Sequence, residues 1–550
     1  MKLSNLINYK TFLIVALSMA TSSCSDFLTR DHPTGVTDDN FWKTMNECES
    51  ALGQCKNWPH GTYHYTAPYV ALVHLEGATD NEYFFANFRN EIVNIGNGSL
   101  TPTTGGYLSD IWKQYYIYIR RCNRFLEHVG SAYFTKESER QRMIADVRVW
   151  RAWYHIQLLL WYGRNDGIPV VEKALEGDEI YQPRNTVEEC LAFINRELDM
   201  VINITDDEVC PFVWDEGNRA RMSRSVALAL KMDVNLQFKK YDVAKEAAKK
   251  LIDSGAFELY YSTATDTDPG KNFRDLFRYV GQQNKERILF TAKGLNENWF
   301  RCMGTPLGGQ ATCAVLKSLV DEFETADGKP LSALPADERR KYEQNPLYKD
   351  RDPRLYATVM LPGDSTTLFN YTYKPFDESG SDYIGKTGAS RSGYMLKKFL
   401  DERDRASGRG SLDYVHYRFA EVLLDYVECL VESGDWQHPD VEKYINMIRN
   451  RAGMPDMDKS VYNTQEKVRE LYRRERRVEL SFEGKRYHDI RRWGIGNETM
   501  NGPIYGAWNP NTQSFITIED RTYTSPKNEA WPLPQQEVTS NPYIKQPTGW

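Results

Sequence analysis

Apolar residues in this chain recur at three- and four-residue steps over long stretches, the period of helices that turn one face to a core. Phe41, Trp42, Met45, Cys48 and Leu52 form the first such stripe. Residues 57–107 then lose the period, with Pro, Gly, Asn and Thr mixed among aromatics. The helical pattern resumes from Ile111 to Phe125, and again from about Glu137 to Tyr162, where Gly163 stops it. Thr186-Val-Glu-Glu189 is a capping box, in which hydroxyl and carboxylate satisfy free amides at a helix start. It predicts a helix to about Ile202. Ser223 opens another that ends near Lys240, and Tyr241-Asp-Val-Ala244 starts its partner, which ends at Gly255.

These last two helices form an antiparallel pair, with small residues where they approach. Phe419-Ala-Glu-Val-Leu-Leu424, running to Gly434, and Val441 to Ile448 repeat the design, and Glu137–Tyr162 supplies half of another unit. Pairs of this length are similar to tetratricopeptide units, which stack to bury faces that none can bury alone. Between about 256 and 412 Gly, Pro, Asp and Tyr dominate, with short pieces such as Arg287-Ile-Leu-Phe-Thr291 that fit strands. The tail after Trp493 is also irregular. The expected fold is mostly α: helix pairs as scaffold, with a large loop-rich insertion region.

The N-terminus has its own pattern. Lys2 and Lys10 precede the apolar run Thr11 to Ala20, followed by Thr21, Ser22, Ser23 and Cys24. About ten apolar residues are too few to span a bilayer, which takes ~20. The run reads as an export leader whose removal leaves Cys24 first. A diacylglycerol on that sulfur would hold the protein to a membrane, since each buried methylene contributes roughly 0.8 kcal/mol. Thr21 stands where bacterial lipoproteins usually carry Leu. Ser25-Asp26 resembles the acidic export signal of Bacteroidetes surface lipoproteins, which implies the outer face of the outer membrane. The expected organisation is a leader over 1–23, a lipid-anchored leash over 24–37, and one domain over 38–550.

Charge is high but balanced, 69 basic against 76 acidic residues for a net −7, which lacks the basic excess that nucleic acid demands. No segment after the leader is apolar and long enough for a membrane helix. The cysteines form no C-x-x-C pair and no Cys/His cluster with zinc spacing, so neither metal nor cofactor is implied. Cys48 and Cys122 lie on apolar helix faces and are expected to be buried free thiols. Asp266-Thr-Asp268 reads as a solvated loop.

The most distinctive block is Arg473-Arg-Glu-Arg-Arg-Val-Glu-Leu-Ser-Phe-Glu-Gly-Lys-Arg-Tyr-His-Asp-Ile-Arg-Arg-Trp493. Glu475, Glu479 and Glu483 stand four apart, on one predicted helix face, with arginines within reach and Gly484 as the stop. A buried ion-pair network fits them better than catalysis. The block closely resembles the hallmark of the SusD/RagB family. Other matches follow in family order: Cys24-Ser-Asp-Phe-Leu28 with Asn40-Phe-Trp42, Arg151-Ala-Trp-Tyr154 with Tyr162-Gly163 and Ile168-Pro-Val170, Asp352-Pro-Arg354, Tyr417-Arg-Phe-Ala-Glu-Val-Leu-Leu424, Ile445 to Gly453, and the ending Asn541 to Trp550. The resemblance spans the mature chain. It implies a non-enzymatic surface lipoprotein that captures oligosaccharides for a SusC-type TonB-dependent outer-membrane transporter. Because some RagB-like members serve peptide uptake, capture of peptides or glycopeptides for a RagA-like transporter is the alternative.

A sugar offers an apolar C–H face and a rim of hydroxyls, so a binder needs flat rings beside Asn, Asp, Gln or Arg on loops held by a rigid frame. Two stretches supply this chemistry. One runs from Asp80 to Asn90 and holds Asn81, Tyr83 and Arg89, with Tyr107 beyond in a Gly-rich segment; the other runs from Asn296 to Arg301 and holds Asn298, Trp299 and Arg301. Arg391 and Tyr394 are a third contribution. Trp299 is the foremost candidate, whereas Trp153 and Trp161 sit on a helical stripe and belong to the core. One or two exposed rings suggest dissociation constants of micromolar to millimolar, about −8 to −4 kcal/mol. A glycoside hydrolase would need two carboxylates facing each other across a cleft, and no such pair is recognisable.

Overall fold

A computed structural model describes residues 41–57, 72–85, 91–215, 221–366 and 370–550. The leader, Cys24 and the leash lie outside the described residues. The principal helices are α1 (Met45–Gln54), α2 (Tyr107–His128), α3 (Glu137–Tyr162), α4 (Val187–Ile202), α5 (Arg224–Gln237), α6 (Tyr241–Asp253), α7 (Phe419–Glu432), α8 (Pro439–Arg451), α9 (Gln465–Glu479) and α10 (Arg486–Trp493). The predicted stop at Gly163, the capping box at Thr186 and the Ser223 cap are all present. Thr44 and Glu47 form a further capping box at the start of α1, whose Cys48 and Leu52 face the core.

The helices stack in sequence. α3 lies between α2 and α4, α5 packs on both α4 and α6, and α6 packs on α7 although the whole of 254–418 separates them in the chain. α8 and α9 close on α7. From Met143 to Tyr162 helix α3 is buried nearly all round, Trp150, Trp153, Tyr154 and Trp161 included, which marks it as central rather than as a surface helix. Ala227 and Ala229 of α5 and Ala244, Ala247 and Ala248 of α6 are buried, and their small side chains let the two helices approach. Cys48 and Cys122 are buried free thiols, as their helix faces predict.

The principal strands come from the stretch before α2, from the insertion region and its exit into α7, and from the C-terminal tail. They are β1 (Glu82–Phe84), β2 (Arg287–Thr291), β3 (Cys313–Val315), β4 (Val359–Met360), β5 (Met395–Leu396), β6 (Tyr414–Arg418), β7 (Gly502–Asn509) and β8 (Ser514–Arg521). The predicted strand β2 pairs antiparallel with β6, which leads straight into α7, so the insertion begins and ends against the frame. β1, β3, β5 and β4 form a four-stranded sheet in that order. The stretch 57–107, expected to be irregular, therefore contains β1 and a short helix, Glu91–Asn97. The tail also differs from expectation: β7 and β8, eight residues each, form an antiparallel hairpin. Register shifts at Phe515/Thr517 and Thr517/Glu519 break the two-residue alternation by which strands are recognised.

The arginine–glutamate block is buried and ion-paired as its spacing predicts, but its glutamates pair with cations from other segments rather than with the block's own arginines. Arg474, Arg476 and Arg477 turn instead to Glu324, Asp425 and Glu322. Arg418 reaches Glu286 and Glu479 at 2.7 Å each and Glu483 at 2.7 Å. Arg354 binds Asp352 at 2.7 Å, Glu479 at 3.0 Å and also Glu475. Arg449 holds Glu475 at 3.1 Å and Glu324 at 3.0 Å, while Arg451 joins Glu286 to Glu479. All of these groups are buried. Burial opposes ionisation of Glu479, yet Arg451, Arg418 and Arg354 outweigh it and hold the carboxyl well below its ordinary range. Lys398, donating to Glu483 at 2.7 Å, is drawn down by burial to about 8.

One detail departs from the predicted helix face. α9 ends at Glu479, and Phe482 and Gly484 both take positive φ in the turn that follows. Glu483 thus leaves the helix yet still reaches the same cations, because Arg418 and Lys398 come from other segments.

Candidate functional site

Strand β1 is where the frame meets the surface. Its register opposite β3 pairs Glu82 with Val315, Tyr83 with Ala314 and Phe84 with Cys313. Strand alternation then sends Glu82 and Phe84 inward and leaves Tyr83 half-buried on the other side. Phe84 stacks on the buried His74 ring at 4.6 Å. Phe85 follows, also half-buried, its amide donating to the Thr312 carbonyl at 2.9 Å.

The exposed cation of the site is Arg391, whose guanidinium lies 3.5 Å from the centre of the Phe85 ring. Its loop is stiff. The Ser390 and Ser392 hydroxyls both donate to the Tyr394 carbonyl, at 2.5 and 3.1 Å, and turn the backbone so that Arg391 points outward. Gly393 has φ +76°, and a Cβ there would lie 3.1 Å from the Cβ of Ala507, so glycine is required. Hairpin β7–β8 docks on this loop through the Ala507 amide, which donates to the Ser392 carbonyl at 2.7 Å. Gly506 permits that approach, since a Cβ would stand 2.3 Å from the Ser392 oxygen.

The same hairpin is tied to β1. Arg521 of β8 donates to the Gly77 and Glu82 carbonyls at 3.1 Å each and also to Thr79, and it pairs with Glu519 at 2.9 Å. Burial pushes the Tyr83 phenol up, and Glu519 adds to this against Arg391 and Arg521. Tyr83, Phe85, Arg391 and Glu519 thus form one half-open patch of rings and charges. The hairpin carries Tyr505, which is exposed, and an edge-on pair of Trp508 and Phe515 at 5.2 Å, both half-buried.

Several residues expected on a binding surface lie inside instead. Trp299 is 1% exposed, and its indole donates to the Leu307 carbonyl at 2.7 Å; the ring packs a short helix, Asn298–Cys302, and no sugar face can stack on it. Asn298 is buried and donates to the Phe399 carbonyl, and Arg301 is buried and paired with Glu297 at 2.8 Å. Tyr394 is buried beneath the loop that it helps to shape. Asp80 and Asn81 are also buried: Asp80 accepts from Arg486 at 2.8 Å and pairs with Arg477 at 3.0 Å, while Asn81 bridges Glu76 and Arg477. Burial works against ionised Asp80, but the two arginines prevail and hold it far below its ordinary value.

These six residues support the site from behind. A ring or amide in an irregular segment has no periodicity to report its direction, and distant segments supply partners to Asn298, Asp80 and Asn81. Arg89 lies outside the described residues, as does the side chain of Tyr107, whose backbone opens α2. Phe85 and the hairpin residues were not singled out by the sequence. Phe85 shared a stretch with Tyr83, and the hairpin lay in a tail without a regular alternation. Among the described residues no cluster of His, Cys, Asp or Glu is arranged to hold a metal ion, and no helix is long and apolar enough to cross a membrane.

Residues 270–550, just over half of the chain, match the model of the SusD family. The chain belongs to the SusD family. Residues 78–231 of this SusD-family protein also match a model described as starch-binding, associating with outer membrane. The SusD-like protein P38 of Formosa agariphila is 23% identical over 98% of this chain and 97% of its own length. A crystal structure of a SusD-like carbohydrate binding protein from Bacteroides fragilis superposes with a TM-score of 0.78 at 26% identity, over 92% of this chain and all of the other. Surface glycan-binding protein A from Bacteroides thetaiotaomicron shares the fold, with a TM-score of 0.64 at 18% identity and the same coverages. Membership makes this chain a binding protein rather than an enzyme. It also gives the sequence motifs a physical sense. Asp352-Pro-Arg354, Arg418 and the Arg449–Arg451 pair are far apart in the chain, and all converge on Glu475 and Glu479.

Proposed function

We propose that this SusD-family protein is a cell-surface glycan-binding lipoprotein. In this reading Cys24 carries the acyl anchor, 24–37 is a leash and 38–550 one domain on the outer face of the outer membrane. The protein captures oligosaccharides and delivers them to a SusC-type TonB-dependent transporter. The supporting observation is the Tyr83–Phe85–Arg391 patch: rings for the C–H face of a sugar, and a guanidinium and a phenol for its hydroxyls, on a loop and strand braced by hairpin β7–β8. The named relatives, a carbohydrate binding protein among them, point the same way.

Such an open surface suits modest affinity, because cargo must be released to the transporter. The test is affinity electrophoresis and calorimetry against a broad polysaccharide panel. Retardation by at least one glycan, weakened in Arg391→Ala, is expected. Binding to no glycan, with saturable binding of oligopeptides, would replace this reading with peptide capture. Palmitate labelling that disappears in Cys24→Ala tests the anchor, and co-purification of a TonB-dependent transporter tests the partner.

A further inference from the structure

A cleft lies on the helical frame, apart from the proposed glycan patch. It measures about 480 Å³ between α2, the segment 169–182 and the short helix Gln535–Ser540 near the C-terminus, and it shares no residue with the Tyr83–Arg391 patch. Its volume falls in the range of small-ligand sites, roughly 300–1,000 Å³. Trp112, Tyr116 and Tyr181 line it. Trp112 and Tyr116 meet edge-on at 4.9 Å, and the Tyr116 hydroxyl donates to the Pro169 carbonyl at 3.0 Å, which holds that ring in place. The walls are tied to one another: Asn541 donates to the Gln182 carbonyl at 3.0 Å, and Arg120 donates to the Leu175 carbonyl.

The charges around the cleft cancel. Arg120 pairs with Glu176 and Lys173 with Glu179, each at 3.3 Å, which leaves Lys113 and Glu537, of opposite sign. An ionic ligand gains nothing from such a rim. A neutral ligand rich in hydroxyls does, because Lys113, Gln536, Glu537 and Ser540 make no side-chain hydrogen bond among the described residues and supply donors and acceptors of both kinds. Rings below and uncommitted polar groups above are the arrangement that a pyranose presents in negative.

We infer that this cleft is a second carbohydrate site, taking a short neutral oligosaccharide of two or three units. It rests on the same ligand class as the proposed function but on none of the same residues. Two points of contact along one polysaccharide would raise its effective affinity without either site becoming tight, which suits a protein that must let go.

The test titrates the mature chain with maltose, cellobiose, xylobiose and mannobiose, and with the parent polysaccharides, using wild type, Tyr83→Ala/Arg391→Ala, Tyr181→Ala/Gln536→Ala and the combination. Tyr181 and Gln536 are at least partly exposed, so their replacement leaves the fold intact. The expected result is residual disaccharide binding in Tyr83→Ala/Arg391→Ala that falls at least tenfold in the combination, with density for the sugar in the cleft of soaked crystals. Wild-type affinity in Tyr181→Ala/Gln536→Ala, with all binding lost in Tyr83→Ala/Arg391→Ala, would overturn the second site and leave the first standing. Loss through the cleft pair alone would sustain the cleft and overturn the Tyr83–Arg391 patch. Binding of no sugar by any of the four overturns both.

Discussion

Two parts of this molecule use arginine in opposite ways. Beneath α7 to α10, Arg354, Arg418, Arg449, Arg451 and Arg476 are buried, each held by two or more carboxylates. At the surface, Arg391 is exposed, lies over one aromatic ring and draws its position from the loop that carries it. Buried charge is costly unless fully paired, so the first group ties distant segments into a single arrangement. The exposed guanidinium costs little and remains available. Substitutions should therefore separate the two regions, with stability moving in one and affinity in the other.

The largest effect is expected at Glu479. Glu479→Gln removes the charge shared by Arg354, Arg418 and Arg451 and leaves buried cations uncompensated, which costs about 3–5 kcal/mol. Denaturant unfolding would show it as a lower midpoint; a change under ~1 kcal/mol would mean that the network contributes little.

Asp80→Asn comes next. Asp80 anchors the entry to β1 through Arg477 and Arg486, so a loss of about 2–4 kcal/mol is expected. Because β1 carries Tyr83, glycan affinity should fall with it. This substitution joins the two regions, and unchanged affinity would show that the patch does not depend on the network.

Acid should act through the network as well. Glu475, Glu479 and Glu483 are all held below their ordinary value of 4.5 in the folded state. Below that value the unfolded chain binds more protons than the folded one, so their stabilisation is complete above about pH 5 and is lost as pH falls. Asp489, opposed by burial but held to about 2 by Arg476 and Arg492, extends the loss further down. Between pH 5 and 3 these groups pull the unfolding midpoint down, against Glu324, Glu421 and Asp425, whose carboxyls burial pushes up, and the downward slope should be smaller in Glu479→Gln. Equal slopes would exclude Glu479 as a contributor.

Arg391→Ala is the converse case. As an exposed side chain it should change stability by no more than about 0.5 kcal/mol, while glycan affinity falls about tenfold, equivalent to ~1.4 kcal/mol. Arg391→Lys should recover part of the loss, since the charge over Phe85 survives but the planar fork does not. A stability loss comparable to that of Asp80→Asn would move Arg391 into the structural group.

How far the chain could be read follows the same division. The helix pairs were legible because each carries its own period and stop, as at Thr186, Ser223 and Gly163. The spacing of Glu475, Glu479 and Glu483 announced a buried network, although the helix ends before Glu483 and the cations arrive from four other segments. Hairpin β7–β8 escaped because its bulges erase alternation.

By itself, the sequence determined the helical frame and its caps, since each depends on neighbours within a turn or two, and it showed the spacing of the charged block, though not the distant cations that lock it. Only the tertiary structure decided which rings meet water. Trp299 looked more available than Tyr83, but it is buried with its indole proton held by the Leu307 carbonyl, whereas register with β3 turns Tyr83 outward. Exposure is set by whatever distant segment packs above a side chain, and no local pattern carries that information.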